Sequence, residues 1–321
     1  VPTASDGSHF RLESRSPGGP TPSSGAAQDH GRLTEPPVSL IDGGALGRHD
    51  PTGEFPDHVP VRPFGGALGK EVDAVVADGA GAMVGVLDAP WSSSDYFVPY
   101  DGVVRPIPGL WLDGDQGAAL DTLLAEGPVE VELTTEAEHR ESTDRNVIAT
   151  APAPHSDDWI VIGSHHDAPW ASAVEDGSGI AQVVAQAAAW SSLPPDRRPA
   201  SLAFLLTAAH MSHGAGTQEF IRAWEHRDRI RFALHLEHIA VEAVPDGSGG
   251  LQPTDRPEIR WWFVSAPEAA QESTVVDAVA AALETDDLDR SLVLPAEIFG
   301  EMPPTDGGFF HLAGVPMVNL L

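Results

Sequence analysis

Residue types that bind metals follow directly after a predicted buried strand in the middle of the chain. The apolar run 159–162 ends in the letters GSHHD, which places His165 and Asp167 at the carboxyl end of that strand. Glu175 and Asp176 come shortly afterwards, before a glycine-rich turn and a helical run. Ligands bind at the carboxyl ends of strands in open α/β sheets. Because imidazole and carboxylate are natural ligands of divalent cations, this segment predicts a metal site.

Two later predicted strands carry further candidates. The strand 201–206 runs into a loop with His210, and the strand 232–239 contains Glu237. An unpaired carboxylate within an apolar strand is costly, which favours a ligand role for Glu237. We expect Asp167 to orient His165, as carboxylates near metal-bound imidazoles do. Glu175 is either a ligand or a carboxylate that the helix N-terminus favours.

For the remaining polar residues near these segments, we expect roles outside the metal site or leave the role open. Asp306 is a candidate for orienting a ligand, and its role stays open together with those of His213, Met211 and His311. We expect structural, capping or surface roles for the rest, with His238 facing away from Glu237: His166, Asp176, His226, His235 and His238.

The composition restricts the classes of partner. The chain has 321 residues, and 48 acidic residues against 18 basic ones give a formal net charge of -30. Nucleic acids and anionic membranes need a positive face, so neither is expected as a partner. There is no cysteine, which excludes disulfides and thiolate metal sites within this sequence. No apolar run reaches membrane-spanning length, so we expect a soluble protein. Whether it is secreted or cytoplasmic is left open by the sequence.

Three segments differ in their sequence pattern. Residues 1–35 are rich in Pro, Gly and Ser and predict an irregular arm. Residues 36–138 predict a small β-rich accessory module, with strands at 72–76, 83–87 and 129–133 and a helix at 115–124. Residues 139–321 alternate strands and helices, which predicts an α/β domain with a mostly parallel sheet covered by helices on both faces. The expected strands there are 146–150, 159–162, 201–206, 232–239, 260–264 and 317–321, and the expected helices are 180–190, 217–227 and 267–283.

The order of these pieces resembles the di-zinc aminopeptidase family, which includes glutamate carboxypeptidase and glutaminyl cyclase. The segments that carry the resemblance are GSHHD, AVEDGSG, TAAHMSHGAGTQEF, LHLEH and TDGGFFHLAGVP, within residues 146–321. The stretch 60–138 looks like the protease-associated module found in that family. The resemblance implies an aminopeptidase-like fold.

Carried over position by position, the family pattern assigns a role to six residues. His165 matches the first metal-binding His, Asp167 its orienting carboxylate, Glu175 the metal-bridging Asp, His210 the general-base Glu, Met211 a metal-ligand Glu, and Glu237 the Asp of the second site. Methionine is a poor zinc ligand in an oxygen-rich site, and the family's late His motif does not appear before Leu321. We therefore expect one metal ion, with zinc favoured and iron or manganese as alternatives.

The resulting hypothesis is a metal-dependent hydrolase with a rewired, mononuclear site. His165, Glu175 and Glu237 would bind the metal, and His210 would be its base or a further ligand. The expected substrate is an amide, a peptide end or a small metabolite. Two alternatives remain: a repurposed lyase, cyclase or non-haem iron enzyme, and a non-catalytic binding protein that kept the fold.

Overall fold

The computed structural model describes residues 8–12, 38–39, 45–53, 58–59, 66–87, 102–133, 135, 140–168, 172–248, 250–298 and 300–321. The chain forms two compact units. The first comprises Val1–Glu35, Arg62–Ser142 and Pro245–Gly250, and the second comprises Pro36–Val61, Thr143–Val244 and Leu251–Leu321.

The described residues form sixteen strands. In chain order they are β1 (Ser8–Leu12), β2 (Val38–Ser39), β3 (Gly47–His49), β4 (His58–Val59), β5 (Met83–Leu87), β6 (Gly109–Asp113), β7 (Val129–Leu133), β8 (Val147–Ala151), β9 (Trp159–His165), β10 (Ser201–Thr207), β11 (Ile230–Leu236), β12 (Val241–Pro245), β13 (Leu251–Pro257), β14 (Arg260–Ser265), β15 (Ser291–Pro295) and β16 (Met317–Leu320).

The described residues also form six α-helices. They are α1 (Gly66–Ala77), α2 (Gly114–Glu126), α3 (Gly179–Ser192), α4 (Ala215–Ala223), α5 (Ala269–Thr285) and α6 (Gly307–Leu312). An irregular helical turn, Ala173–Ser178, leads into α3, and short 3-10 helices span Pro195–Arg197 and Arg227–Arg229. Among the described residues no helix has the length and apolar character needed to cross a membrane.

One large mixed sheet forms the centre of the second unit. Its eight strands follow the order β3-β15-β14-β16-β11-β9-β10-β8. The strands β10, β9, β11 and β16 are parallel neighbours, whereas the two edge strands pair antiparallel. The carboxyl ends of β9, β10 and β11 therefore meet at one edge of the sheet, where ligands bind in such folds.

Helices cover this sheet on both faces. Alternate residues of β9 point in opposite directions, so Val161 packs in one core cluster and Ile162 in another. The cluster around Val161 includes Phe220 of α4 and Phe310 of α6. The cluster around Ile162 includes Val183 of α3. The prediction of an α/β fold with helices on both sides of a sheet is confirmed.

An apolar cavity of about 310 Å³ lies between α5 and the sheet. Its lining includes Leu234, Trp262 and Val279 and contains no ionisable side chain. Acid–base and metal chemistry need ionisable groups, so this cavity is not the candidate reaction site.

The first unit contains small strand pairs. Strand β1 pairs antiparallel with β7, and β5 pairs parallel with β6. Helix α2 begins with a capping box, in which Gln116 N donates to Asp113 Oδ1 at 2.8 Å and Asp113 N donates to Gln116 Oε1 at 3.2 Å. Strand β1 lies within the segment expected to be an irregular arm.

Most predicted elements agree with the structure, but one is wrong. Residues 72–76 belong to helix α1 and not to a strand. Their β-branched composition suggested a strand, yet the buried residues Val72 and Val75 are three positions apart, which is the spacing of one helix face. The structure also contains strands that were not predicted, namely β1, β2, β3, β4, β12, β13 and β15. Strand β3 lies in the range assigned to the accessory module but pairs with β15 in the large sheet.

Candidate metal centre

Neighbouring strands place the candidate ligands at the same sheet edge. His165 is the last residue of β9 and lies beside Thr207, the last residue of β10. Glu237 follows β11 directly, and its backbone N–H donates to the carbonyl of Leu320 in β16. Both candidate ligands are fully buried, with side chains 0% exposed. The sheet register therefore brings together residues that are far apart in the sequence.

Three side chains form a cluster suited to one cation. His165, His210 and Glu237 each offer a ligand atom, and these atoms lie within 4.8 Å of one another. His165 Nε2 and Glu237 Oε2 are 3.7 Å apart, which is too long for a hydrogen bond. Two ligands that each bind a zinc ion at about 2.1 Å are separated by a similar distance.

Unsatisfied buried atoms support the same interpretation. Neither His165 Nε2 nor Glu237 Oε2 has a hydrogen-bond partner among the described residues, although both atoms are buried. Buried polar atoms without partners are rare, because each one costs the desolvation energy of the group. A divalent cation between these atoms would satisfy both, so the residues fit a metal ion.

In both His165 and His210, the ring nitrogen Nδ1 already faces a hydrogen-bond partner. His165 Nδ1 donates to the backbone carbonyl of Asp167 at 2.8 Å. His210 Nδ1 lies 2.9 Å from Asp306 Oδ1. The two rings stack with centroids 3.9 Å apart and an interplanar angle of 8°. Since each Nδ1 has a partner, the Nε2 atoms are the nitrogens available to a metal.

Asp306 is held by three polar side chains. Its Oδ1 faces His210, and its Oδ2 accepts hydrogen bonds from Thr217 Oγ1 at 2.6 Å and Thr207 Oγ1 at 3.1 Å. The Asp306 side chain is 1% exposed. A buried carboxylate with this many partners fixes the orientation of His210, which agrees with the ligand-orienting option considered for Asp306.

Asp167 acts on His165 through its backbone. The Asp167 carboxylate lies 3.9 Å from His165 Nδ1, so the hydrogen bond to that nitrogen comes from the Asp167 carbonyl. The carboxylate instead accepts from the backbone N–H groups of His210 at 3.0 Å and Met211 at 3.4 Å. Asp167 therefore shapes the loop that carries His210.

Glu175 and Asp176 lie at the border of the three-residue cluster. Glu175 Oε1 lies 3.7 Å from His210 Nε2, but Glu175 is not one of the three clustered residues. Asp176 accepts from Gly179 N at 3.3 Å at the start of α3, as a capping residue does. Its other oxygen is hydrogen-bonded by Ser164 and lies 3.9 Å from His165 Nε2. Asp176 thus caps the helix and also borders the cluster.

Two histidines near Glu237 were expected to be structural, but both lie against carboxylates at the candidate site. His235 Nε2 donates to Glu237 Oε1 at 2.5 Å, which leaves Oε2 directed towards His165. The expectation that His238 faces away from the site is wrong, because its Nε2 lies 3.7 Å from Glu175 Oε2. Strand β11 ends at Leu236, and His238 has a left-handed φ of 51°, so the strand alternation no longer applies to it.

The remaining sequence candidates lie outside the cluster. His166 Nε2 is 2.9 Å from the carbonyl of Arg145. His213 packs edge-on against Phe309, with ring centroids 5.3 Å apart. His311 Nε2 lies 3.5 Å from Glu297 Oε1. Met211 contributes a backbone N–H to Asp167, as described above.

Electrostatics in the metal-free site resemble those of a site that holds a cation. Burial opposes charge on His165, but the facing Glu237 carboxylate outweighs it and raises the pKa of His165 to about 10. Burial and repulsion from Glu237 raise the pKa of Asp176 to about 8. Burial opposes charge on Glu237 as well, yet His235 and His165 hold the pKa of Glu237 well below its usual range. When no metal ion is bound, a protonated His165 thus supplies the positive charge beside the Glu237 carboxylate.

The structure is similar to those of solved aminopeptidases. BSAP, a zinc aminopeptidase from Bacillus subtilis, matches with a TM-score of 0.54 and 18% identity, over 78% of this chain and 56% of that chain. A second structure of BSAP gives a TM-score of 0.51 and 17% identity, over 78% of this chain and 56% of that chain. An aminopeptidase from Aneurinibacillus sp. strain AM-1 gives a TM-score of 0.48 and 19% identity, over 78% and 57%.

The present chain therefore spans a little over half the length of these structures. No family model matches the sequence, and no curated protein matches it. At 18% identity the likeness concerns the fold, and the chain has the α/β fold seen in the zinc aminopeptidase BSAP.

Proposed function

We propose that this protein is a metal-dependent hydrolase that binds one divalent metal ion through His165, His210 and Glu237. Zinc suits the mixed nitrogen and oxygen set, and iron or manganese are the alternatives. The substrate would be an amide, a peptide end or a small metabolite. The aminopeptidase-like fold supports a hydrolase, since BSAP is a zinc aminopeptidase.

One observation carries the proposal. His165 Nε2 and Glu237 Oε2 are buried, lack hydrogen-bond partners among the described residues and face each other at 3.7 Å. An arrangement of this kind is costly unless a cation completes it. His210 provides the third ligand atom from the loop after β10.

Neighbouring residues fix the orientation of the three proposed metal ligands. Asp306 and the Asp167 carbonyl engage the Nδ1 atoms, so the Nε2 atoms point to the site. His235 holds one oxygen of Glu237 and leaves the other for the metal. When bound, a divalent metal would polarise a substrate carbonyl and lower the pKa of water.

Metal analysis of the purified full chain tests the proposal. The protein is stripped with a chelator, reloaded with zinc and desalted, and the zinc content is measured by elemental analysis. We expect about one equivalent in the wild type and almost none in His165→Ala. His311→Ala is the matched control, because His311 is a partly buried histidine that pairs with Glu297 outside the cluster. A wild type that retains no zinc, iron or manganese would favour the non-catalytic alternative.

A further inference from the structure

We propose that Glu175 is the proton acceptor of this site, taking a proton from the attacking water and returning it to the leaving amine. This inference rests on the proposed function, because it concerns the same cation and the same hydrolysis. It departs from the expectation that Glu175 is a ligand and that His210 is the base.

His210 is poorly placed to act as the base once it binds a metal. Its Nδ1 is engaged by Asp306 at 2.9 Å, and its Nε2 is the nitrogen that the ligand cluster uses. An imidazole with both nitrogens engaged has no lone pair left for a proton. A different group must then accept the proton from water.

The other described carboxylates around the cluster are either buried away from water or directed away from the ligand atoms. Glu237 and Asp306 are fully buried, and they pair with His235 and with His210 and two threonines. Asp176 is fully buried and bonds to Ser164. Asp167 is more exposed, but its two oxygens accept backbone N–H groups. None of these carboxylates is both accessible to water and directed into the site.

Glu175 meets both conditions. Its side chain is 16% exposed, and its oxygens lie 3.7 Å from His210 Nε2 and 3.7 Å from His238 Nε2. Both distances are too long for a hydrogen bond. The carboxylate therefore lies against the ligand nitrogen of His210 without being one of the three clustered residues. A base must lie within reach of a water that is held beside the metal ligands, and Glu175 occupies that position.

The proposed step conserves atoms and electrons. One O–H bond of a water molecule breaks, and its proton moves to a Glu175 oxygen. The electron pair left on the water oxygen forms the new C–O bond to the substrate carbonyl carbon. When the C–N bond breaks, its electron pair stays on the leaving nitrogen, which takes the proton from Glu175. The products are a carboxylic acid and an amine, and Glu175 is again a carboxylate.

The experiment compares Glu175→Gln with the wild type in two measurements. Zinc affinity is determined by competition with a chromophoric chelator, and the ligand environment is followed in the visible spectrum of the cobalt-substituted protein. Turnover is measured with a panel of aminoacyl p-nitroanilides and dipeptides. Glu297→Gln is the control, since Glu297 is exposed and pairs with His311 outside the cluster.

We expect Glu175→Gln to keep the wild-type zinc affinity within about threefold and to keep the cobalt spectrum. Its kcat should fall by about 10²- to 10⁴-fold, the usual contribution of a general base. A loss of zinc affinity beyond tenfold, or a changed cobalt spectrum, would make Glu175 a ligand and overturn the inference. Unchanged turnover would overturn it as well. A zinc-loaded wild type that turns over none of these substrates would instead refute the hydrolase proposal, and the base role with it.

Discussion

Replacing Asp306 tests whether its buried carboxylate fixes the orientation of His210 in the candidate metal site. In Asp306→Ala, the partners of three hydrogen bonds lose their acceptor: His210 Nδ1, Thr217 Oγ1 and Thr207 Oγ1. The two hydroxyls remain 3.0 Å apart and bond to each other, so the main unsatisfied group is the imidazole of His210, whose side chain is 11% exposed. Removing one partner of a buried pair costs about 3 to 5 kcal/mol, and we expect that loss in the free energy of unfolding.

Asp306→Asn separates stability from ligand orientation. The amide oxygen accepts from the threonine hydroxyls, and the amide NH₂ then faces His210. His210 Nδ1 must become an acceptor, which moves the ring proton to Nε2 and blocks the metal. We expect a loss of only about 1 to 2 kcal/mol in stability but a 10- to 100-fold loss of zinc affinity.

Urea unfolding of the metal-free variants and zinc competition measure these two effects. An unchanged m-value shows that the variants unfold from the same compact state. Asp157→Ala is the control, because Asp157 is an 88% exposed partner of Arg229 and should change stability by less than about 1 kcal/mol. A loss below about 1 kcal/mol in Asp306→Ala, or wild-type zinc affinity in Asp306→Asn, would contradict the orienting role.

Three further predictions concern metal, pH and packing. Zinc at 100 times its dissociation constant should stabilise the wild type by about 2.7 kcal/mol, seen as a rise in melting temperature that Glu237→Gln lacks. The metal-free protein should lose stability as pH rises from about 6.5 to 10, because the folded state binds a proton on His165 more tightly than the unfolded state and that advantage ends at about 10. Asp176, with its pKa raised to about 8, acts in the same direction, and a flat melting profile over this range would contradict both assignments. Gly179→Ala should cost about 1 to 3 kcal/mol in urea unfolding, since the new Cβ would clash with the backbone carbonyl oxygen of Leu236, whereas Gly109→Ala, with no neighbour nearer than 3.5 Å, should be tolerated better.

The parallel strands and the edge that carries the site could be predicted from sequence. Strands buried on both faces read as continuous apolar runs, and β9 and β10 are of this kind. Because parallel strands end at the same edge, polar residues placed just after them must converge. This reasoning predicted a site with His165, Glu175 and Glu237 as ligands and His210 as the base or a further ligand. In the structure the three clustered residues are His165, His210 and Glu237.

The details that depend on backbone geometry could not be predicted. His238 was assigned to the opposite face by strand alternation, but its left-handed backbone returns it to the side of Glu175. Asp176 was assigned a capping role from its position before a helix, and its burial beside His165 depends on how the turn 173–178 folds. Asp167 was expected to use its carboxylate, whereas its carbonyl makes the bond to His165. Each of these depends on local dihedral angles that residue spacing does not encode.

The register irregularity in β11 keeps the end of that strand in phase with β9. Ile230 is paired with Trp159 and Phe232 with Ile160, so Arg231 is an extra residue in β11. Because paired residues of neighbouring strands point to the same side of a sheet, the residues from Phe232 onwards alternate in step with β9, and His235 pairs with Gly163. Deletion of Arg231 would therefore leave His235 on its present side, whereas one residue inserted after Phe232 would turn His235 to the other side of the sheet. The end of β11 can thus lose the residue at 231 but cannot gain one beyond Phe232 without losing the position of its polar side chains.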